Sequence, residues 1–133
     1  MKLAFAFLAD AATLQDSGLF AVIGGGFDVL YGKSFPATKG AMVLIGRIDF
    51  TRKECGKTHE VLTEIVAPNG KIVQPVLRLS LTPFLNPRKP KKGNWMTICF
   101  NYQNVVFEME GDYVFRLSVG DRVIGEVPLE AIK

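Results

Sequence analysis

The sequence predicts an all-β fold, a single-domain antiparallel Greek-key β-sandwich of about seven to nine strands, Ig-like or C2-like in its connections. Three observations carry that expectation. Short apolar runs alternate with turn residues at close spacing, and no stretch sustains a helical period. The stretch "EGDYVFRLSVGDRVIGEVPLEAI", 110–132, alternates apolar and polar residues as a hairpin with one wet face does. "PNG", Pro68 to Gly70, is a strong turn between two apolar runs, because Asn and Gly tolerate positive φ. The 133 residues suit one domain, 1–133, able to bury about two-thirds of the surface its unfolded form exposes.

Along the chain the runs place strands at 3–8, 19–30, 41–50, 60–67, 72–81, 95–102, 105–109, 113–119 and 123–129. Residues 3–8 open the chain as a buried strand. The alternative is a signal segment, from Lys2, a seven-residue apolar run and the Ala9-Asp10-Ala11 pattern. That run is at the short end for such segments, and Asp10 stands beside the cleavage position. Residues 10–18 read as a loop or one helical turn. In the last hairpin, a three-residue connection (120–122) pairs Val119 with Val123 and Phe115 with Val127. It is preferred because strands of period two cannot absorb a one-residue slip. Gly111-Asp112-Tyr113 has the form of a tyrosine corner, in which the phenol bonds back to the main chain and pins a crossover. The immunoglobulin cysteine is absent, its position being held by Phe115.

The triple glycine, Gly24, Gly25 and Gly26, raises the question of a phosphate-binding turn. A dinucleotide fingerprint needs Gly-x-Gly-x-x-Gly opening a helix, and here the third glycine position holds Val29. The residues that follow, Phe27 to Tyr31, are β-branched and aromatic, so no helix N-terminus is available. The P-loop spacing fails as well. The glycines therefore read as a structural bend in a strand.

The segment "FAFLAD…LQDSGLFAVIGGGFDVL…FP" resembles the opening of an uncharacterised family, a domain of unknown function, of small bacterial β-sandwich proteins. In that family the first strand ends in Asp and a short "D-x-G-(K/L)-x-x-(V/L)-I-G" segment follows. Asp10, Asp16, Gly18, Ile23 and Gly24 stand at those positions. The tail "GDYVFRLSV…GEVPL" is similar too. The resemblance implies a β-sandwich, no known activity and no catalytic residues to carry over.

Charge and cysteine count exclude more than they select. The net charge of +3 is too mild to imply nucleic acid by itself, and two cysteines are too few for a disulfide scaffold. No apolar run approaches the roughly 20 residues of a membrane-spanning helix. The most distinctive local feature is "NPRKPKKGNW", 86–95, where Arg88, Lys89, Lys91 and Lys92 stand within five positions and Trp95 follows. Such a segment can grip phosphates and stack bases, or be no more than a solvated connection between strands. Trp95 fits core better than platform. Cys55 and His59 form half a metal site, and the chain's one histidine leaves no second imidazole, so no metal and no cofactor are expected. His59 reads as an exposed surface imidazole. Glu108, Glu110 and Asp112 read as the wet rim of a turn, and the other aspartates are scattered singly.

The expected function is a non-enzymatic binding or assembly module, with an unknown protein partner, in a bacterial cytoplasm. A homodimer through surface strands is a further expectation. The first alternative is anion or nucleic-acid binding through 88–92, and the second an uncharacterised hydrolase using carboxylates or His59. Export with a Cys55–Cys99 bridge is the remaining alternative to a cytoplasmic location. No membrane partner is expected.

Overall fold

Strand-forming runs carry the chain into two facing sheets in the computed structural model, which describes residues 1–85 and 94–133. The strands among them are β1 (Lys2–Ala9), β2 (Ala11–Leu14), β3 (Phe20–Ile23), β4 (Val29–Tyr31), β5 (Ala37–Asp49), β6 (His59–Val66), β7 (Ile72–Leu81), β8 (Trp95–Phe107), β9 (Gly111–Val119) and β10 (Arg122–Ile132). One sheet has the order β1-β5-β8, and the facing sheet β4-β10-β9-β6-β7. β2 and β3 form a separate hairpin. The all-β sandwich is as expected. Its pairings are antiparallel except β4 with β10, which run parallel.

The inter-sheet core takes alternate residues from both sheets. Tyr102 on β8 meets Phe115 on β9 edge to face at 5.5 Å, and Phe107 meets Tyr113 in the same way at 4.9 Å. The Tyr102 hydroxyl donates to Thr63 Oγ1 across the interior at 3.0 Å, so neither buried hydroxyl lacks a partner. Burial, partly offset by that hydrogen bond, pushes the Tyr102 phenol up to about 12. Tyr113 completes a tyrosine corner: its hydroxyl donates to the Met109 carbonyl at 2.7 Å and accepts from the Met109 N–H at 3.3 Å.

A second apolar layer lies on the other side of the small sheet. Val43 and Ile45 alternate with Met42 and Leu44, so they face away from the main core, yet both are buried. The β2–β3 hairpin covers them. Phe20 packs on Phe5 and Phe7 of β1 at 6.1 and 6.3 Å between ring centroids, and Arg47 lies 5.7 Å over the Phe5 ring. The unbroken apolar run "AMVLI" has this physical meaning: β5 is buried on both faces.

Several local expectations are corrected. The run 19–30 is two strands in different sheets. Gly24 (φ 63°) and Gly26 (φ 86°) turn the chain out of the hairpin toward the edge of the larger sheet, where a strand bend was expected. A Cβ at Gly24 would collide with the Asp10 carboxylate. Residues 10–18 hold a strand and a tight turn, closed by Gly18 N–H to the Gln15 carbonyl at 2.9 Å. Runs 95–102 and 105–109 are one strand, β8. The turn-like break is Asn104 at φ 53°, where the inward alternation passes from Tyr102 to Val105 and shifts phase. The last hairpin has a two-residue turn, with Arg122 opposite Val119, but a bulge between Val123 and Gly125 restores Phe115 opposite Val127. A bulge absorbs the slip that regular pairing forbids.

Candidate functional site

The registers define two ends of the sandwich. Lys2, Asp49 and Trp95 lie side by side at one end, and Ala37 and Phe107 at the other. Three connections converge at the first end: 15–19 between β2 and β3, 50–58 between β5 and β6, and the β7–β8 connection. Backbone bonds join them. Phe50 N–H donates to the Asn94 carbonyl at 3.0 Å and Gly56 N–H to the Pro83 carbonyl at 2.8 Å. The hydroxyls of Thr58 and Thr82 share a bond of 2.9 Å, and Thr97 Oγ1 donates to the Gly18 carbonyl at 2.6 Å.

These connections line an open pocket of about 320 Å³, walled by Leu14, Phe50, Phe84 and Trp95, with Gln15, Asp16, Ser17, Asn94 and Thr97 as its polar contributors. Phe84 is 72% exposed. The Trp95 ring lies against Arg47, whose guanidinium is 5.2 Å from the ring centroid. A Cβ at Gly18 would stand 3.0 Å from the indole, so the glycine there serves both the close approach and its φ of 84°. Asn94 Oδ1 is buried with no hydrogen-bond partner among the described residues. An aromatic wall beside an unsatisfied acceptor suits a partly apolar group that carries a donor.

The 50–58 connection is basic and well anchored. Arg52, Lys53 and Lys57 are exposed, and none forms an ion pair with a described residue. Thr51 caps a single 3₁₀ turn, Arg52–Glu54. Burial of the Glu54 carboxyl works against its ionisation. Bonds from the N-terminal ammonium of Met1 and from the Thr51 N–H and hydroxyl, with the ammonium's charge, outweigh this and hold it at about 2. In sequence this segment stands out only by the Cys55–His59 spacing, although "TRKECGK" holds three of the chain's 16 basic residues. That these cations share an end with Trp95 follows from long-range pairing, which local patterns do not carry.

The remaining sequence candidates are distributed as follows. Arg88, Lys89, Lys91 and Lys92 lie outside the described residues. His59 is half-buried rather than exposed, because its ring folds back so that Nε2 bonds the Glu54 carbonyl at 2.9 Å. Cys55 Sγ donates to the Thr51 carbonyl at 3.5 Å, and both cysteines are free thiols. Burial raises the Cys99 thiol; it sits on the outer face of β8 opposite Ile45. Among the described residues no three His, Cys, Asp or Glu gather as metal ligands. Glu108 and Glu110 lie in the exposed turn before β9, at the far end from Trp95.

Two open grooves occupy that far end. One, of about 570 Å³, runs along Gly24, Gly25 and Gly26 with Asp10 and Lys39, which pair at 3.0 Å. A strand, β4, follows the glycines, and Lys39 Nζ is 5.3 Å from the Phe27 ring centroid. The other groove, of about 440 Å³, lies between the edges of β7 and β8 and is lined by Ile72, Val73, Val106 and Met109, with Lys71 and Glu108 among its charged lining residues. Among the described residues no helix is long and apolar enough to cross a membrane.

None of the curated proteins matches the chain. A solved structure, an immunoglobulin-like protein from Pseudomonas aeruginosa, is similar to it at 14% identity, covering 97% of this chain and 98% of that one with a TM-score of 0.42. A family model matches residues 4–132, and by that match the chain belongs to DUF6941, a family of unknown function.

Proposed function

We propose that this chain is a non-enzymatic binding or assembly module, working in a bacterial cytoplasm and engaging a protein partner through the Trp95 end. The observation that carries this reading is the pocket between the three connections. It is rimmed by the exposed Phe84 and holds Asn94 Oδ1, buried and without a hydrogen-bond partner among the described residues. Binding surfaces combine an apolar anchor site with a few oriented polar groups. The imidazole of His59 supports the same reading, since its Nε2 is committed to a main-chain carbonyl.

The test is capture from the native host with wild type and with Phe84→Ser, in parallel with turnover assays on ester, phosphate and glycoside substrates. The expected result is a specific partner that the variant loses. Turnover of any of those substrates overturns the reading.

A second reading is anion or nucleic-acid binding through Arg88, Lys89, Lys91 and Lys92. The bonds from Phe50 to Asn94 and from Gly56 to Pro83 favour it, because they tie the basic 50–58 connection to residues on either side of that segment in sequence. It predicts gel-shift binding that falls steeply with salt and is lost when the four residues become Gln. Salt-independent binding removes it.

A further inference from the structure

The two ends of the sandwich are chemically complementary. At the Trp95 end, Arg52, Lys53 and Lys57 are exposed and without an ion pair among the described residues, on the connection whose Gly56 bonds Pro83, the residue before Phe84. At the opposite end, Glu108, Glu110, Asp112 and Glu130 are likewise exposed and outside any described ion pair. Asp112 stands directly across from Glu130 in the β9–β10 ladder, a like-charge pair that costs stability in an isolated chain. An incoming cation would relieve it.

The apolar features match as the charges do. Phe84 projects from the cationic end, 72% exposed. The groove between β7 and β8 opens at the acidic end, with Ile72 and Val106 39% and 38% exposed along it. Its volume of about 440 Å³ is ample for a phenyl ring, given that a cavity of about 150 Å³ holds benzene. Lys71 lies in that lining and Asp16 beside Phe84 in the other, so the minority charges also oppose in sign.

We propose that copies of this chain associate head to tail, Phe84 of one seating in the Ile72–Val106 groove of the next, with Arg52, Lys53 and Lys57 facing Glu108, Glu110 and Asp112. The proposal rests on the assembly reading above and specifies its partner as a second copy. Such a contact uses two different surfaces, so it propagates rather than closing on itself. Pairing two like ends would set cations against cations at one end or carboxylates against carboxylates at the other, which disfavours a two-fold dimer through either end.

The experiment is analytical ultracentrifugation of the full chain across a concentration series, at about 50 mM and about 500 mM salt, where the screening length falls to a few ångströms. Wild type is expected to show a mass that climbs with concentration at low salt and collapses to the monomer at high salt. Two variants each close one end: Phe84→Ser with Lys53→Glu, and Glu108→Lys with Glu110→Lys. All four positions are exposed, and circular dichroism with thermal melting checks that both variants fold. Each variant alone is expected to stay monomeric, and an equal mixture to form a heterodimer and stop there. A monomeric wild type at low salt, association of either variant alone, or a mixture that stays monomeric overturns the proposal. If wild type is monomeric and a single-stranded oligonucleotide shifts only proteins that keep Phe84 and Lys53, the cationic end is a nucleic-acid surface and the proposal falls. A monomer that still captures a different protein through Phe84 also ends it, while leaving the binding-module reading intact.

Discussion

The apolar layer between the sheets and the one beneath the β2–β3 hairpin share three strands and differ in what covers them. Inside, the β1-β5-β8 sheet faces five strands, and Tyr102, Phe107, Tyr113 and Phe115 are all essentially inaccessible. Outside, the same sheet is covered by a hairpin of four residues a side, and Phe5 and Val22 each remain 36% exposed. A hairpin of that size is marginal alone, so its order depends on the rings beneath it. The contrast teaches that burial on both faces of β5 does not mean equal stability on both. Opening of the hairpin is a local event, whereas loss of the inner layer is global unfolding.

Breaking the inner layer gives the largest effect. Phe115→Ala removes a fully buried ring that meets Tyr102, and is expected to cost about 3–5 kcal/mol in urea unfolding. A cost below about 1 kcal/mol would mean that the two layers are equivalent. Phe20→Ala, on half-buried ground, is expected to cost about 1–2 kcal/mol. Its sharper signature is local: Cys99, held back by burial, reacts with a thiol reagent several-fold faster, and amide exchange rises across 11–23. Unchanged Cys99 reactivity would refute the cover. Tyr113→Phe keeps the ring against Phe107 and loses only the bonds to Met109, with an expected cost of about 1 kcal/mol.

The smallest effect concerns the Met1 end of β1, which serves both layers. Glu54 is held at about 2, below its ordinary 4.5, so its stabilisation is full above about pH 4.5 and is lost as pH falls toward 2. Glu54→Gln should therefore flatten the stability profile across that window and leave the slope above pH 5 unchanged. A parallel loss in wild type and variant would show that another group controls acid unfolding.

The fold was legible where one residue's burial follows from its neighbours. The alternation in 113–119 and 123–129 gave β9 and β10, and 72–81 was placed to the residue as β7. The phase shift at Asn104 and the bulge after Val123 were not legible, because each is a one-residue accommodation set by the partner strand. The split of 19–30 was hidden for a related reason. An apolar run looks the same whether it stays in one sheet or feeds two, and the positive φ at Gly24 and Gly26 that makes the turn leaves no trace in the run's hydropathy. Of the candidate site, Trp95 was singled out from sequence. Phe84, Asn94 and the cations of 50–58 were not, since a turn residue's exposure and its neighbours across the fold leave no periodic trace.

The extra residue between Val123 and Gly125 gives the final hairpin a reserve of length. The one-residue shift set by the two-residue Gly120-Asp121 turn is offset there, before it reaches Val127 and the interior. A one-residue change at the tip is expected to be taken up at the same place, leaving unchanged which side chains the last strand sends inward. For protein engineering, this makes residues 120–121 a natural place to graft a foreign epitope or a reporter.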